Sequence, residues 1–255
     1  MRLRRKRAPY RSVRLPKADG TVRLISAPSP ALEAAQRAIL AVLEPLAKVS
    51  PACHGFTRGR SIVSNASPHV GKTVVIRIDI AGFFHSIGSR RVEGIIAALG
   101  IKRSKAKSWS VICTQSIEGK GRVLPQGAPT SPLLSNLACA ALDSAISRMA
   151  NGFGFHYTRY ADDITISGSD LVSWKTLLGL TVSAVESNGF SVKTEKTMVM
   201  LAHCKQTIAG VVVNRRTNVS RDTRKRIRAA LHQGNDTPEN LGMASHIAHV
   251  RKGTK

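Results

Sequence analysis

The chain has 255 residues, with 39 Lys and Arg against 15 Asp and Glu, a formal net charge of +24, and a hydrophobic share of 42%. That apolar share is typical of a globular protein with its own core, which excludes a disordered basic tail. No apolar run is long enough to cross a bilayer, and the basic N-terminus lacks the apolar stretch of a secretory signal. Four scattered cysteines predict reduced thiols in a cytoplasmic protein and no zinc site.

The surplus of positive charge favours a polyanionic partner. Residues 1–17 hold eight basic side chains and no acidic one, and residues 215–228 hold seven against a single Asp222. Binding to a membrane surface would call for a basic amphipathic helix with a large apolar face. Because the charge is spread along the chain instead, nucleic acid is the expected partner and no membrane is expected. Residues 1–17 are interpreted as an arm that folds onto RNA, or as a disordered tail.

Helical and strand patterns mix along the chain without a regular β-α-β repeat, which predicts the α+β class. In chain order the sequence first predicts a strand within 20–28, a helix capped by Ser29 that ends or kinks at Pro45, and a strand within 73–84. A helix at 91–100 follows, and then a loop from 124 that leads to a helix capped by Ser131. The last predicted elements are a β-hairpin with its tip at 161–163, a helix from Trp174 to Asn188, a strand at 207–214, and a basic helix from Ser220 to His232 followed by a short tail.

Three acidic residues stand where they can act together. Asp79 lies late in an apolar strand, and Asp162 and Asp163 lie at a hairpin tip. Side chains alternate along a strand, so Asp79 faces away from Ile78 and Ile80 and can meet Asp162 on a neighbouring hairpin. Three carboxylates near one point require a cation, or one of them must take up a proton.

Mg²⁺ suits such a group, because it prefers oxygen ligands and is held by one or two carboxylates together with substrate phosphates. Two ions can clamp the attacking and leaving oxygens of a phosphoryl displacement. Adjacent residues of a strand cannot both face one metal, so Asp162 is predicted to be the firmer ligand and Asp163 the more peripheral one. The alternative is a plain polar turn, since Asp is common in turns.

Four motifs resemble those of reverse transcriptases, in the same order along nearly the whole chain. RIDIAGFF (77–84) resembles the first catalytic strand, LPQGAPTSPLLSN (124–136) the loop and helix that contact template and nucleotide, YADD (160–163) the catalytic hairpin, and GFSVKTEKT (189–197) the Gly and Lys motif that follows it. The resemblance implies a right-hand polymerase fold. It places fingers at 1–75 with part of 100–123, a palm of antiparallel sheet plus helices at 76–213, and a short thumb with the basic helix at 214–255.

Further segments resemble the bacterial retron subgroup. Asn65-Ala66-x-x-His69 is similar to its Asn-Ala-x-x-His signature, and IAGVVVN (208–214) to its Val-Thr-Gly segment. The chain departs from that pattern at Ala209, where Thr is usual, and at Lys193, where Asn is usual. Neither departure touches the catalytic carboxylates.

The resemblance implies that Asp79, Asp162 and Asp163 are catalytic and bind two Mg²⁺ ions, with Mn²⁺ as a substitute in vitro. The backbone carbonyl of Ile80 is expected to add a ligand.

Five residues are expected, by resemblance, to bind the incoming nucleotide, each with a plainer alternative. Phe84 would be the steric gate that rejects a 2′-hydroxyl, or a core Phe. Gln126 would position the nucleotide, or be a solvated loop residue. Gly127 would admit close backbone approach, or serve a turn. Arg23 and Lys196 would contact the triphosphate, or be ordinary surface charges.

Contacts with RNA or DNA are expected at two places. Asn65 and His69 are interpreted as a hydrogen-bonded pair that shapes the fold or positions RNA. The basic helix has an apolar side for docking and a basic side for sequence-independent phosphate contacts, which are expected at Arg221, Arg224, Lys225 and Arg228.

The sequence therefore predicts an RNA-directed DNA polymerase of retron type in the bacterial cytoplasm. The expected partners are dNTPs, a cognate noncoding RNA with its RNA–DNA product, and an effector protein in anti-phage defence. The alternatives are another bacterial or group II intron-like reverse transcriptase, or a non-catalytic RNA-binding scaffold on a polymerase fold.

Overall fold

The computed structural model describes residues 9–16 and 22–253, which form two compact units. The first contains the described residues up to Ser50 together with Gly82–Ala141, and the second contains Pro51–Ala81 together with the chain from Leu142 onward. Helices and antiparallel sheets occur together, as the α+β prediction requires.

The helices are α1 (Pro30–Leu43), α2 (Ile62–Ala66), α3 (Ser89–Ala98), α4 (Arg103–Cys113), α5 (Ser131–Ala138), α6 (Ala140–Gly152), α7 (Trp174–Ser187), α8 (Arg221–His232) and α9 (Pro238–Lys252). The strands are β1 (Tyr10–Pro16), β2 (Val22–Pro28), β3 (Val74–Asp79), β4 (Gln115–Ile117), β5 (Gly121–Val123), β6 (His156–Tyr160), β7 (Asp163–Gly168), β8 (Met198–Leu201), β9 (Thr207–Ile208) and β10 (Val211–Val212). Across these described residues, no helix has both the length and the apolar character of a membrane span.

The first unit begins with an antiparallel hairpin of β1 and β2. Part of the predicted arm or tail, residues 10–16, is therefore a strand, while residues 1–8 lie outside the described part of the chain. Helix α1 starts as predicted, because the Ser29 hydroxyl accepts a hydrogen bond from the Leu32 amide at 3.4 Å. At Pro45 the chain tightens into a 3₁₀ turn, which ends the helix.

The helix predicted after the Gly/Pro loop differs in two respects. Its N-cap residue is Thr130 and not Ser131, because Ser131 already occupies the first helical position. The helix is also interrupted at Cys139, so that α5 and α6 are separate helices.

The second unit is built on a four-stranded antiparallel sheet in the order β6-β7-β3-β8. The alternation of side chains gives β3 two different faces. Ile76 and Ile78 lie on one face and are fully buried with their cross-strand partners Ile166 and Ile164. Asp79 lies on the other face.

That other face is covered at the end of β3 opposite to Asp79. Val75 packs there in an apolar cluster with Val63, Ala66, Met200 and Val250, which come from α2, β8 and α9. The acidic residue and the apolar cluster are thus separated along the same strand.

Two predictions near the C-terminus are wrong. The predicted strand 207–214 is a hairpin, because Ala209 (φ 46°) and Gly210 (φ 84°) form a left-handed turn between β9 and β10. The predicted short tail contains α9, which buries Val250. By contrast, α8 has the predicted bounds, and the Ser220 hydroxyl accepts from the Thr223 amide at 3.2 Å.

Candidate active site

The three predicted catalytic aspartates lie at one end of the sheet of the second unit. Asp79, the last residue of β3, is the cross-strand partner of Asp163, the first residue of β7. Asp162 precedes Asp163 in the turn from β6 to β7, and its carbonyl accepts a hydrogen bond from the Ile80 amide at 3.0 Å. The turn is therefore tied to the end of the strand that carries Asp79.

The predicted hairpin is confirmed, and its turn is tight. Tyr160 pairs with Asp163, so only Ala161 and Asp162 form the connection. Ala161 has a left-handed φ of 56°, which is uncommon for a residue with a Cβ. Gly55 packs against it so closely that a Cβ at this glycine would lie 2.5 Å from the Ala161 nitrogen. The backbone around the turn is thus closely constrained.

Two of the three carboxylates have a cationic partner. The Lys196 Nζ lies 3.3 Å from Asp79 Oδ2, and the Arg77 Nη2 lies 3.4 Å from Asp163 Oδ1. Asp162 forms no ion pair within residues 9–16 and 22–253. Of the three carboxylates, it is the one without a neutralising contact.

Burial is the main reason why the pKa of Asp162 is raised above its ordinary value. The negative charges of Asp163 and Asp79 raise it further, while a backbone hydrogen bond and the charge of Lys196 oppose the shift. A cation bound at this carboxylate would relieve both the burial cost and the repulsion.

Lys196 reaches Asp79 because residues 191–193 return beside the end of β3. The Ala81 amide donates to the Ser191 carbonyl, and the Lys193 amide donates to the Asp79 carbonyl, both at 2.8 Å. A 3₁₀ turn at Thr194–Lys196 then carries the lysine to the carboxylate. Its side chain is 49% exposed, so Lys196 is available to further ligands, and the predicted triphosphate contact stays a prediction.

The site offers ligands of the kind that Mg²⁺ requires. Asp162 presents carboxylate oxygens that form no ion pair among the described residues, and Asp79 and Asp163 lie close enough to raise its pKa. No group of three His, Cys, Asp or Glu side chains is arranged to hold a metal ion in the described ranges. Mg²⁺ is commonly held by one or two carboxylates with substrate phosphates, so the aspartates fit that mode of binding.

The predicted nucleotide-binding residues, apart from Lys196, belong to the first unit. Gln126 and Gly127 follow β5, and the Gln126 carbonyl accepts from the Ser26 amide at 2.7 Å. Gly127 has φ 120°, and a Cβ there would lie 2.6 Å from Ile25 Cγ2, so the position requires glycine. The side chain of Arg23 lies outside the described part of the structure.

The structure distinguishes Phe83 from Phe84 by their burial, which bears on whether Phe84 is a core residue or a steric gate. Phe83 is buried, whereas Phe84 is partly exposed and touches Phe83 edge to face, with ring centroids 5.4 Å apart. Phe83 is therefore the core residue, and the role of Phe84 as a gate stays a prediction.

The hydrogen bond expected between Asn65 and His69 is not formed. His69 is fully buried and is bonded instead to Ser167 through Nδ1 at 2.6 Å and to Thr158 through Nε2 at 2.8 Å. The side-chain amide atoms of Asn65, Oδ1 and Nδ2, are buried without a hydrogen-bond partner among the described residues. Since both residues are 0% exposed, neither can touch RNA directly, and any effect on RNA binding would act through the fold.

The basic helix α8 borders two concave surfaces in the second unit. A cavity of about 370 Å³ is lined by Lys205, Arg215, Arg216, Arg221 and Arg224, and one of about 280 Å³ by Lys225 and Arg228. Ile227 docks the opposite side of the helix in the core. The cationic side chains are thus placed together on a surface suited to phosphate.

A buried polar network beside the turn that carries Asp162 could not be foreseen from the sequence. Arg159 is fully buried on β6 and forms a two-pronged ion pair with Asp143 of α6, with Nε to Oδ1 at 2.7 Å and Nη2 to Oδ2 at 2.8 Å. The sequence shows a basic residue, Arg159, directly before Tyr160 and Ala161, and this position could have indicated a buried charge near the turn. A charged residue in a strand does not reveal which distant residue will be its partner.

Comparisons with known proteins agree with the motifs. The family described as "Reverse transcriptase (RNA-dependent DNA polymerase)" matches residues 15–243. The chain is 40% identical to the Retron Mx65 reverse transcriptase of Myxococcus xanthus over 94% of this chain and 59% of that protein. It is 33% identical to the Retron Ec86 reverse transcriptase of Escherichia coli over 90% of this chain and 69% of that protein. The chain thus spans 59% to 69% of the length of these relatives.

Solved structures show the same fold at low identity. An apo telomerase from Candida tropicalis, truncated at its C-terminal domain, has a TM-score of 0.56 and 14% identity over 83% of this chain and 55% of its own. A foamy viral protease–reverse transcriptase with RNA/DNA hybrid has a TM-score of 0.50 and 18% identity over 86% of this chain and 24% of its own. These likenesses confirm the polymerase fold. The family match over residues 15–243 and the two retron relatives establish that the chain belongs to the reverse transcriptase family, in its bacterial retron group.

Proposed function

We propose that the chain is an RNA-directed DNA polymerase of retron type that copies a cognate structured noncoding RNA into single-stranded DNA. The observation that carries the proposal is the convergence of Asp79, Asp162 and Asp163 at one end of the sheet in a chain of the retron group. Residues 1–75 with part of 100–123 would act as fingers, residues 76–213 as the palm, and residues 214–255 as a short thumb.

Asp79, Asp162, Asp163 and the carbonyl of Ile80 would hold two Mg²⁺ ions, for which Mn²⁺ can substitute in vitro. When bound, such ions polarise phosphate and stabilise the attacking and leaving oxygens of nucleotidyl transfer. The protein's part is to hold the carboxylates in register. The Ile80 amide bonded to the Asp162 carbonyl fixes the turn against β3, and the contact of Lys196 with Asp79 limits the repulsion among the aspartates.

The proposed nucleotide contacts follow from chemistry at each position. Lys196, half-exposed beside Asp79, would contact the triphosphate of a dNTP, as would Arg23. Phe84 would exclude the 2′-hydroxyl of a ribonucleotide, as its place five residues after Asp79 implies by resemblance, and its ring is partly exposed. The glycine at 127 would permit a close backbone approach next to Gln126, as the resemblance implies, although the need for glycine there is already explained by packing against Ile25 and Ser26.

The RNA and its DNA product would bind the cationic side chains of α8. Arg221, Arg224, Lys225 and Arg228 line concave surfaces, and such contacts to phosphate are independent of sequence. Priming from a 2′-hydroxyl of that RNA, an effector protein partner, a role in anti-phage defence and a place in the bacterial cytoplasm belong to the same proposal.

Template-directed dNTP incorporation by the purified chain tests the proposal. The RNA that copurifies with the protein serves as template in the presence of Mg²⁺, and Asp162→Asn is compared with the wild type. The substitution keeps the shape but removes the charge, so incorporation should fall by about 1000-fold, similar to the loss of a group that stabilises the transition state.

The control is Asp170→Asn, which removes one negative charge from an exposed loop of the same unit. Its Oδ1 accepts a hydrogen bond from the Val172 amide at 2.7 Å, which the Asn oxygen can also accept, and the substitution gives up only the longer bond from the Ser173 amide to Oδ2 at 3.3 Å. Incorporation by this variant should equal that of the wild type. If wild type and Asp162→Asn incorporate equally little, the chain is an RNA-binding scaffold and the polymerase proposal fails.

A further inference from the structure

The buried ion pair of Arg159 and Asp143 reaches the catalytic turn directly. The two ends of the Arg159 fork that face Asp143 lie 2.7 and 2.8 Å from the two carboxylate oxygens. The remaining nitrogen, Nη1, donates to the carbonyl of Ala161 at 2.8 Å. Ala161 is the residue before Asp162, so one guanidinium connects helix α6 to the turn that presents the catalytic carboxylate.

The backbone of Arg159 is held as firmly as its side chain. Its amide donates to the Ala52 carbonyl at 2.8 Å, and its own carbonyl accepts from the His54 amide at 2.7 Å. Tyr157, two residues earlier on β6, donates its hydroxyl to Asp143 Oδ1 at 2.6 Å. With backbone, side chain and partner all fixed, the guanidinium has a defined position relative to the turn.

Stability alone does not account for a charged pair at this place. A buried ion pair loses about as much in desolvation as it gains in attraction, and apolar residues of similar volume are often equally stable. A Leu and Met pair could fill the same space, but it could not donate to the Ala161 carbonyl. That carbonyl belongs to a residue with a disfavoured left-handed φ of 56°, which needs external support to persist.

We propose that Arg159 is a positioning residue for catalysis, which fixes the orientation of Asp162 by holding the Ala161 carbonyl. The inference rests on the proposed polymerase function, because it assigns Arg159 a role in that reaction. Arg159 itself is fully buried and touches no substrate. Its effect is to keep the turn that carries Asp162 in one conformation while the hydrogen bond between the Ile80 amide and the Asp162 carbonyl closes the other side.

The test separates positioning from stability with two variants. The double substitution Asp143→Leu with Arg159→Met removes both buried charges together and keeps the volume, but loses the hydrogen bond to Ala161. The control, Tyr157→Phe, removes a hydrogen bond from Asp143 and leaves the contact between Arg159 and Ala161 intact. A purely structural role predicts that activity follows thermal stability in both variants.

Positioning predicts the opposite pattern. Tyr157→Phe should lower the melting temperature and keep the wild-type kcat. The double variant also takes away the acceptor of the Tyr157 hydroxyl, so it too should melt below the wild type. At a temperature where both variants are folded, it alone should lose about 100-fold in kcat, the order of loss expected for a reacting group displaced by about 1 Å, with KM for dNTP unchanged. Hydrogen exchange at the Ile80 amide, which bonds to the turn, should be faster in the double variant only.

Normal kcat and normal exchange in a folded double variant would overturn the inference and leave the polymerase proposal untouched. If the double variant does not fold, Arg159→Lys replaces it, because lysine keeps the charge opposite Asp143 but lacks the fork that reaches Ala161. Exchange at Ile80 unchanged in that variant would also overturn the inference. Wild-type protein that incorporates no dNTP would refute the polymerase function, while the exchange measurement still decides whether Arg159 holds the turn.

Discussion

The buried histidine of the second unit should make the protein less stable in mild acid. His69 is fully enclosed between Ser167 and Thr158. The Thr158 hydroxyl donates to the Asn65 carbonyl, so it accepts from His69 Nε2, and Nδ1 accepts from Ser167. The neutral ring is therefore satisfied at both nitrogens. Replacement by Gln, whose amide can also donate and accept one bond, removes the titration.

The size of the effect follows from the pKa of the ring. Burial, and to a smaller extent the charges of His156, His54 and Lys72, lower the pKa of His69 from 6.5 to about 3. Between these two values the unfolded chain binds a proton that the folded protein does not, so stability falls as the pH falls from 6.5 towards 3. At about pH 5 the loss is about 2 kcal/mol, from 1.36 kcal/mol for each pKa unit.

Urea unfolding at about pH 7.5 and about pH 5 measures how much unfolding free energy the protein loses between the two pH values, and comparison with His69→Gln isolates the part due to His69. Wild type should lose about 2 kcal/mol more of its unfolding free energy than His69→Gln between the two conditions. Absolute stabilities do not enter the comparison, so a weaker fit of Gln is harmless. An equal loss in the two proteins would show that His69 takes up a proton in the folded state and refute the reasoning.

Two further substitutions test the loop of the first unit and the lysine of the second. Gly127→Ala should destabilise the protein by about 2 kcal/mol in urea unfolding, because the left-handed φ is strained and the new Cβ meets Ile25 at 2.6 Å; an unchanged midpoint would contradict this. Lys196→Met should change stability by less than about 1 kcal/mol, since the contact with Asp79 is half-exposed, yet raise KM for dNTP. Lys193→Met, which leaves Asp79 its partner, is the control, and equal KM values in the two variants would count against a triphosphate contact of Lys196.

Features set by neighbouring residues were predictable from the sequence. The cap at Ser29, the start of α8 at Ser220 and the end of α7 at Asn188 depend on local backbone chemistry, and each lies where the pattern predicts. The alternation around Asp79 likewise predicted the face on which it meets the hairpin. Local rules failed where the sequence was equally compatible with one continuous strand and with a hairpin. This is the case at Ala209 and Gly210, where a turn folds the valine-rich run 207–214 back on itself.

Features that depend on distant partners were not predictable. Asn65 and His69 were predicted to form a local hydrogen-bonded pair, but His69 is bonded to hydroxyls of β6 and β7, far away in sequence. Helix α9 was missed because its apolar residues do not form one clear stripe, and only packing against α2 and β3 gives Val250 its buried place. In both cases the partner becomes known only from the tertiary fold.

The acidic residues of this basic protein differ in what surrounds them, and that difference ranks them. Asp143, Asp79 and Asp163 each lie in an ion pair with Arg or Lys, so their charge is compensated within the protein. Asp162 is partly buried and repelled by two neighbours, which raises its pKa. A bound metal ion gains the most electrostatic stabilisation at a carboxylate that is not already in an ion pair with Lys or Arg. The ranking of Asp162 as the firmer ligand, inferred from strand geometry, therefore has an independent electrostatic reason, and it makes Asp162 the residue at which loss of charge should affect activity most.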